Sequence, residues 1–179
     1  MYYHGHQVAV LDACVLYPAP IRDLLLHLAG VGLFSPRWSL LIHEEWIRNL
    51  LLNRPDINPD QLQRTRIAMD KAFPDANVTN FDLLTEKLDL PDKNDNHILS
   101  AAILGEADII VTANLKDFPN LYLSMFDVKA QHPDIFISNL ITSMPEMGIA
   151  AFKNQVSFLK KPPMTEKEVL ASLKAAGLE

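Results

Sequence analysis

The sequence contains one cysteine, Cys14, in 179 residues. That excludes an internal disulfide and suits a reducing compartment. No apolar run approaches the ~18 residues that a membrane-crossing helix needs. The first residues, MYYHGHQ, lack the basic start and long apolar core of a signal peptide. A soluble, cytoplasmic protein with no membrane association is therefore expected. Positive charge is also short: 16 Lys and Arg face 22 Asp and Glu, a net charge of −6, so the chain does not coat nucleic acid by bulk charge. A nuclease is still allowed, because a metal-binding acidic cluster itself lowers the formal charge. Internal repeats and low-complexity segments are absent too. With 49% hydrophobic and 21% charged residues, the chain can bury a core, and its length fits one domain with a small appendage.

The chemistry concentrates in residues 90–118, LPDKNDNHILSAAILGEADIIVTANLKDF. Apolar residues at helical spacing (Ile98/Ala102, Leu99/Ile103) predict a helix buried on most sides, stopped by Gly105. Ile109-Ile110-Val111 is a short β-branched run of the kind found in a parallel sheet covered on both faces. Asp92 and Asp95 stand where this helix begins, and Asp117 stands just past the strand. An Asp in a first helical turn is commonly a cap. A cap needs one carboxylate, however, and does not account for Asp117.

Other acids sit in comparable places. The run Val8-Ala9-Val10-Leu11 predicts a buried strand that delivers Asp12 at its C-terminal end, where a charge needs a partner or a metal. Pro18 and Pro20 precede an amphipathic helix closed by Gly30, and Leu33-Phe34 starts a second strand. Ser39 caps a helix over residues 39–53 with Ile42, Trp46 and Leu50 as its apolar stripe. His43-Glu44 within it does not make a zinc-protease motif, because residue 47 is Ile where a second His is required. Glu44 has Arg48 as its i,i+4 partner, whereas Glu45 faces the neutral Asn49. Asn58, Pro59 and Gln61 open a third helix with a capping box, Asn77-Val78-Thr79 suggests a short strand, and residues 81–88 a short helix. A strand near residues 127–130 and a helix over 133–141 follow, then two helices marked by Ile149/Phe152/Val156/Leu159 and by the Thr165…Glu168 capping box. Strands alternating with helices predict a parallel sheet between helical layers.

In such a sheet, strand ends and the starts of following helices share one edge, so Asp12, Asp95 and Asp117 can converge there. Oxygen-only ligands favour hard cations such as Mg²⁺ or Mn²⁺, and two of these suit phosphodiester cleavage.

The segments VLDACVLYP, HEEWIRNLL, LPDKNDNHILSAAI and IIVTANLKDF resemble those of PIN domains, the ribonuclease fold of VapC-type toxins of bacterial toxin–antitoxin systems. The resemblance spans roughly residues 7–140. It implies an α/β, three-layer sandwich with a central, mostly parallel sheet of about five strands and helices on both faces. Residues 1–141 form that domain and 142–179 a C-terminal helical extension. It also implies a metal-dependent endoribonuclease with Mg²⁺ or Mn²⁺ as cofactor, RNA as substrate, an antitoxin protein as partner and room for a homodimer. Asp12, Glu45, Asp95 and Asp117 become the acidic, metal-binding quartet; Asp92 an auxiliary acid; Thr112 and Asn114 orienting groups. Arg22, Arg37, Arg48, Lys93 and Lys116 flank the acidic stretches as candidates for RNA phosphates. One departure stands out. Many PIN domains carry Asn or Ser two residues after the first Asp, and here that residue is Cys14, a weaker donor. Competing readings are a PIN domain that binds without cleaving, a haloacid-dehalogenase-like phosphohydrolase (which wants a second Asp at position 14), and a structural module whose acids are caps.

Overall fold

The computed structural model of the protein describes residues 6–179; residues 1–5, most of the segment read above for a signal peptide, lie outside the described residues. Four strands form one parallel sheet in the order β2-β1-β3-β4: β1 (Gln7–Leu11), β2 (Phe34–Arg37), β3 (Ile109–Val111) and β4 (Lys129–Gln131). The helices are α1 (Ala13–Leu16), α2 (Ala19–Gly30), α3 (Leu40–Asn53), α4 (Pro59–Ala72), α5 (Asp82–Thr85), α6 (Asn96–Leu104), α7 (Asn120–Leu123), α8 (Pro133–Ser143), α9 (Pro145–Phe158) and α10 (Glu166–Ala175). The connection through α2 leads from β1 to β2, while the one ending in α6 returns across β1 to β3. Right-handed crossovers running in opposite directions lie on opposite faces, so α2 and α6 cover the two sides of the sheet. This explains why β1 and β3 have almost no polar residues.

The expected fifth strand is reduced to a single parallel bridge between Trp38 and Asn77. Trp38 N–H donates to Ala76 C=O (2.9 Å) and Val78 N–H to Trp38 C=O (2.8 Å). A 3₁₀ turn at Pro74–Ala76 bends the chain immediately before the bridge, which leaves no room for a longer ladder.

Local signals place several helix ends where the sequence puts them. Ser39 Oγ accepts from Ile42 N–H at the start of α3, and Thr165 with Glu168 forms the reciprocal capping box of α10. Two differ. Asn58 caps α4 through Asp60 N–H, without a Gln61 box. Helix α2 runs through Gly30, and it is Gly32, at φ +83°, that turns the chain. Gly105 ends α6 at an ordinary negative φ, but a Cβ there would lie 2.7 Å from Ala101 O and 2.9 Å from Val78 Cγ2. Its smallness serves packing, and Glu106 takes the left-handed conformation instead.

The extension folds back on the domain. Helix α9 crosses α8 at 120° and lies on α2, where buried Gln155 donates from Nε2 to Pro20 C=O (3.0 Å). Val169 and Leu173 bury α10 in the same face. No single helix among the described residues is long and apolar enough to cross a membrane.

Candidate active site

Strands β1 and β3 are neighbours whose connections leave in opposite directions, so their C-terminal ends flank the switch point where open α/β sheets bind ligands. Asp12 follows β1 there, with its N–H donating to Val111 C=O (3.1 Å) on β3. Its side chain is only 4% exposed. Buried Thr112, the residue after β3, donates its hydroxyl to Asp12 Oδ2 (2.6 Å). Cys14 Sγ donates to the same oxygen (3.1 Å) and accepts from Ala113 N–H (3.4 Å). The thiol thus stands as a donor where an Asn or Ser is usual. Burial, reinforced by the Asp12 charge, pushes its pKa up to about 12, so it keeps its hydrogen. Asp12 itself is raised, first by burial and further by Glu45, while the bonds from Thr112 and Cys14 pull the other way. Asn114 joins through its backbone: its N–H donates to Thr112 Oγ1 (3.0 Å).

Asp92 and Asp95 separate into different roles. Asp92 is exposed and caps the 3₁₀ turn Lys93–Asp95 by accepting from Asn94 N–H (2.9 Å). Asp95 occupies the N-cap position of α6, yet its carboxylate accepts no capping hydrogen bond. It is held at about 7, well above the carboxylate range, first by burial and then by the charges of Asp12, Asp92, Asp117 and Glu45 in that order. The acids from β1, α3, the turn before α6 and the turn Leu115–Asp117 therefore all lie within electrostatic reach of one carboxylate. Buried Asn96 sets this geometry. Its Oδ1 accepts from Leu90 N–H (3.1 Å) and its Nδ2 donates to Leu88 C=O (2.9 Å), tying the preceding loop to α6.

Glu45 approaches from α3 and is 31% exposed. Glu44, its neighbour, is exposed, and the expected pair with Arg48 is not formed among the described residues. His97, on the first turn of α6, places Nε2 3.6 Å from Glu45 Oε2. The sequence reading passed over both Asn96 and His97. Only the DNH triplet at the helix start, three polar residues before an apolar run, could have singled them out.

Two of the five candidate RNA-binding cations are not available to phosphate. Arg22 is 7% exposed; Nη1 donates to Leu16 C=O (2.9 Å) and the guanidinium lies over Trp46, 4.8 Å from the ring centroid. Arg37 donates to Gly105 C=O (3.1 Å) and Pro36 C=O (3.0 Å), at the far end of α6, about 15 Å from Asp95 at 1.5 Å per residue. Lys93 is exposed but paired with Asp89. Arg48 and Lys116 are exposed on either side of the cluster, with no ion pair among the described residues.

His43 is not part of this site. Trp46 Nε1 donates to its Nδ1 (3.0 Å) and its Nε2 faces Asp70 (3.3 Å), which also accepts from Trp38 Nε1 (2.9 Å) and Arg66. Burial lowers His43 to about 4, so it is a neutral member of a network that pins α4 to α3 and β2.

Five acids around the C-terminal ends of two adjacent parallel strands, with a Thr orienting the first of them, match the pattern of a known family. The family model described as PIN domain matches residues 8–116, more than half of the chain. The chain belongs to the PIN domain family. A second model, described as VapC50 C-terminal domain, matches residues 133–179 and so takes in α8, α9 and α10. The chain is also similar to a Mycobacterium tuberculosis protein curated as "Putative ribonuclease VapC50", with 37% identity over 79 residues, 44% of this chain. It spans about half the length of that relative, 47%. No solved structure matches the chain. As a PIN domain it is not a haloacid-dehalogenase-like phosphohydrolase.

The donor chemistry fits a hard divalent cation: carboxylates only, one of them free of capping bonds and held above the carboxylate range by burial and by its acidic neighbours. Among the described residues, no three His, Cys, Asp or Glu side chains form a ready-made metal cage. Mg²⁺ commonly binds through one or two carboxylates with water completing its shell, and such an open site is what these residues can offer.

Proposed function

We propose that the protein is a metal-dependent endoribonuclease and the toxin of a toxin–antitoxin pair, acting in the cytoplasm on RNA and held in check by a cognate antitoxin. The observation that carries this reading is Asp95. It opens a helix without capping it, and burial together with the charges of four other acids raises its pKa to about 7. A protein retains repulsion of that kind when a cation relieves it during function.

Asp12, Glu45, Asp95 and Asp117 would hold Mg²⁺ or Mn²⁺, with Asp92 at the periphery. When bound, the metal supplies positive charge to the scissile phosphate and lowers the pKa of a coordinated water. The chain's own residues do the rest. Thr112 and Cys14 fix the rotamer of Asp12, so that carboxylate needs no reorganisation before it acts. Asp95, once it has lost its proton, would offer the metal a further carboxylate oxygen. Arg48 and Lys116 are placed to meet phosphates on the flanks, where they position the strand without reading its sequence.

A melting series in EDTA and in Mn²⁺, run beside cleavage of single-stranded RNA, tests the proposal. Mn²⁺ should raise the melting temperature, since a ligand of the folded state alone stabilises it, and RNA should be cut only with metal. A protein that Mn²⁺ does not stabilise and that leaves RNA intact is a binding module instead.

A further inference from the structure

Glu45 is the acid of the cluster with least to hold it. Asp12 has Thr112 and Cys14 as donors, and Asp95 and Asp117 sit on short side chains at the ends of structured turns. Glu45 has three rotatable bonds, is partly exposed, and is repelled by Asp12 and Asp95. Left to itself it would swing to solvent and regain rotamer freedom. Its recorded polar neighbour is His97 Nε2, at 3.6 Å from Oε2.

The other nitrogen of that ring is equally informative. His97 is 12% exposed, and its Nδ1 is buried with no hydrogen-bond partner among the described residues. A hydrogen on Nδ1 alone would bury an unmatched donor and turn the Nε2 lone pair toward a carboxylate, two costs at once. Placing the hydrogen on Nε2 turns an N–H toward the carboxylate and leaves Nδ1 as one unmatched acceptor, the smaller cost. The ring then presents an N–H to Glu45 across the gap between α6 and α3. At 3.6 Å the two atoms face each other without a hydrogen bond, and hydrogen bonds that are long in an empty catalytic site commonly close when it fills.

We propose that His97 is the positioning residue for Glu45: its Nε2–H holds the Glu45 carboxylate within the acidic cluster, linking α3 to the helix that Asp95 opens. This rests on the metal-nuclease reading for its consequence, though not for its geometry. It also supplies a structural reason for Glu45 rather than Glu44 as the functional acid, since Glu44 is exposed and faces no such donor.

The geometry is tested first, without metal or substrate. In ¹⁵N-histidine-labelled protein in EDTA, the His97 resonances, identified by their loss in His97→Gln, should show hydrogen on Nε2. The Nε2 resonance should move in Glu45→Gln and stay in place in Glu44→Gln. An Nδ1–H tautomer, or an Nε2 signal indifferent to Glu45→Gln, overturns the proposal whatever the enzyme does. The consequence is tested next. His97→Phe keeps the ring volume and removes the donor; it should weaken Mn²⁺ binding, read from the metal-dependent melting shift, and lower kcat, each by about 10–100-fold with KM little changed. His97→Gln, which restores an N–H at similar reach, should recover to within about threefold. In a Glu45→Gln background, His97→Phe should cause no further change in the Mn²⁺-dependent melting shift. Equal effects of Phe and Gln, or additivity with Glu45→Gln, overturn the positioning role. A wild-type protein that neither binds Mn²⁺ nor cleaves RNA, yet shows the expected ¹⁵N pattern, refutes the nuclease reading and leaves the contact standing.

Discussion

In metal-free protein near neutral pH, Asp95 is about half protonated, because its pKa is raised from 3.8 to about 7. The sign of the resulting pH dependence follows. Between about pH 4 and 7 the folded state holds a proton that the unfolded chain has released, so stability falls as pH rises through that window and levels off above it. Asp95→Asn should flatten the fall, melt no lower than wild type in EDTA above pH 7, and abolish cleavage. Thermal melts from pH 4.5 to 8 check this, and a wild-type melting temperature that climbs across the window would contradict it. Glu45 and Glu44 provide a second comparison. Glu45→Gln should abolish activity, whereas Glu44→Gln should leave it intact and change stability by no more than about 0.5 kcal/mol, as expected for a surface site; kinetics and denaturant melts on the pair decide. Glu45 entered only through the family resemblance, whereas Asp12 and Asp95 could be singled out from sequence because strand–Asp and Asp–helix junctions are local patterns. Arg22 and His97 could not be. Whether an arginine meets solvent or the face of Trp46, and whether a histidine meets Glu45, depends on which helices lie against each other.

Helix ends divide the same way. The caps at Ser39 and Thr165 were legible because donor and acceptor lie three residues apart. Gly105 looked like a left-handed stop, yet its requirement comes from Val78, 27 positions earlier, and from the carbonyl of Ala101. Gly105→Ala should therefore destabilise by about 1–3 kcal/mol through overpacking, measurable by urea unfolding. A left-handed glycine replaced by alanine would be strained even in open space; here the cost should shrink when Val78 is also replaced by alanine, and a cost unchanged in the double variant would refute the packing account. The fifth strand was legible as a β-branched segment, and its reduction to one bridge was not, since the bend at Pro74–Ala76 is set by the packing of α4.

For the molecule as a whole, the extension behaves as part of the core. Leu173, 5% exposed on α10, should on replacement by alanine lower global stability by roughly 2–5 kcal/mol in a single transition. A separate, earlier melt of the tail would show an independent arm. Trypsin should likewise spare the Lys160–Lys161 bond in the free protein if this packing persists in solution; rapid cutting there would show it does not. The topology also governs when the site can exist. The bond from Thr112 to Asp12 joins residues 100 positions apart, and Asp117 comes later still. At roughly 5–20 residues per second of synthesis, about 5–20 s separate the making of the first acid from the making of the residue that orients it. A nascent chain on the ribosome therefore carries no assembled acidic centre until about two-thirds of it has been made. A truncated product that ends before β3 is released without the cluster, and on the proposed nuclease reading any hazard to the cell's RNA begins only beyond about two-thirds of the chain.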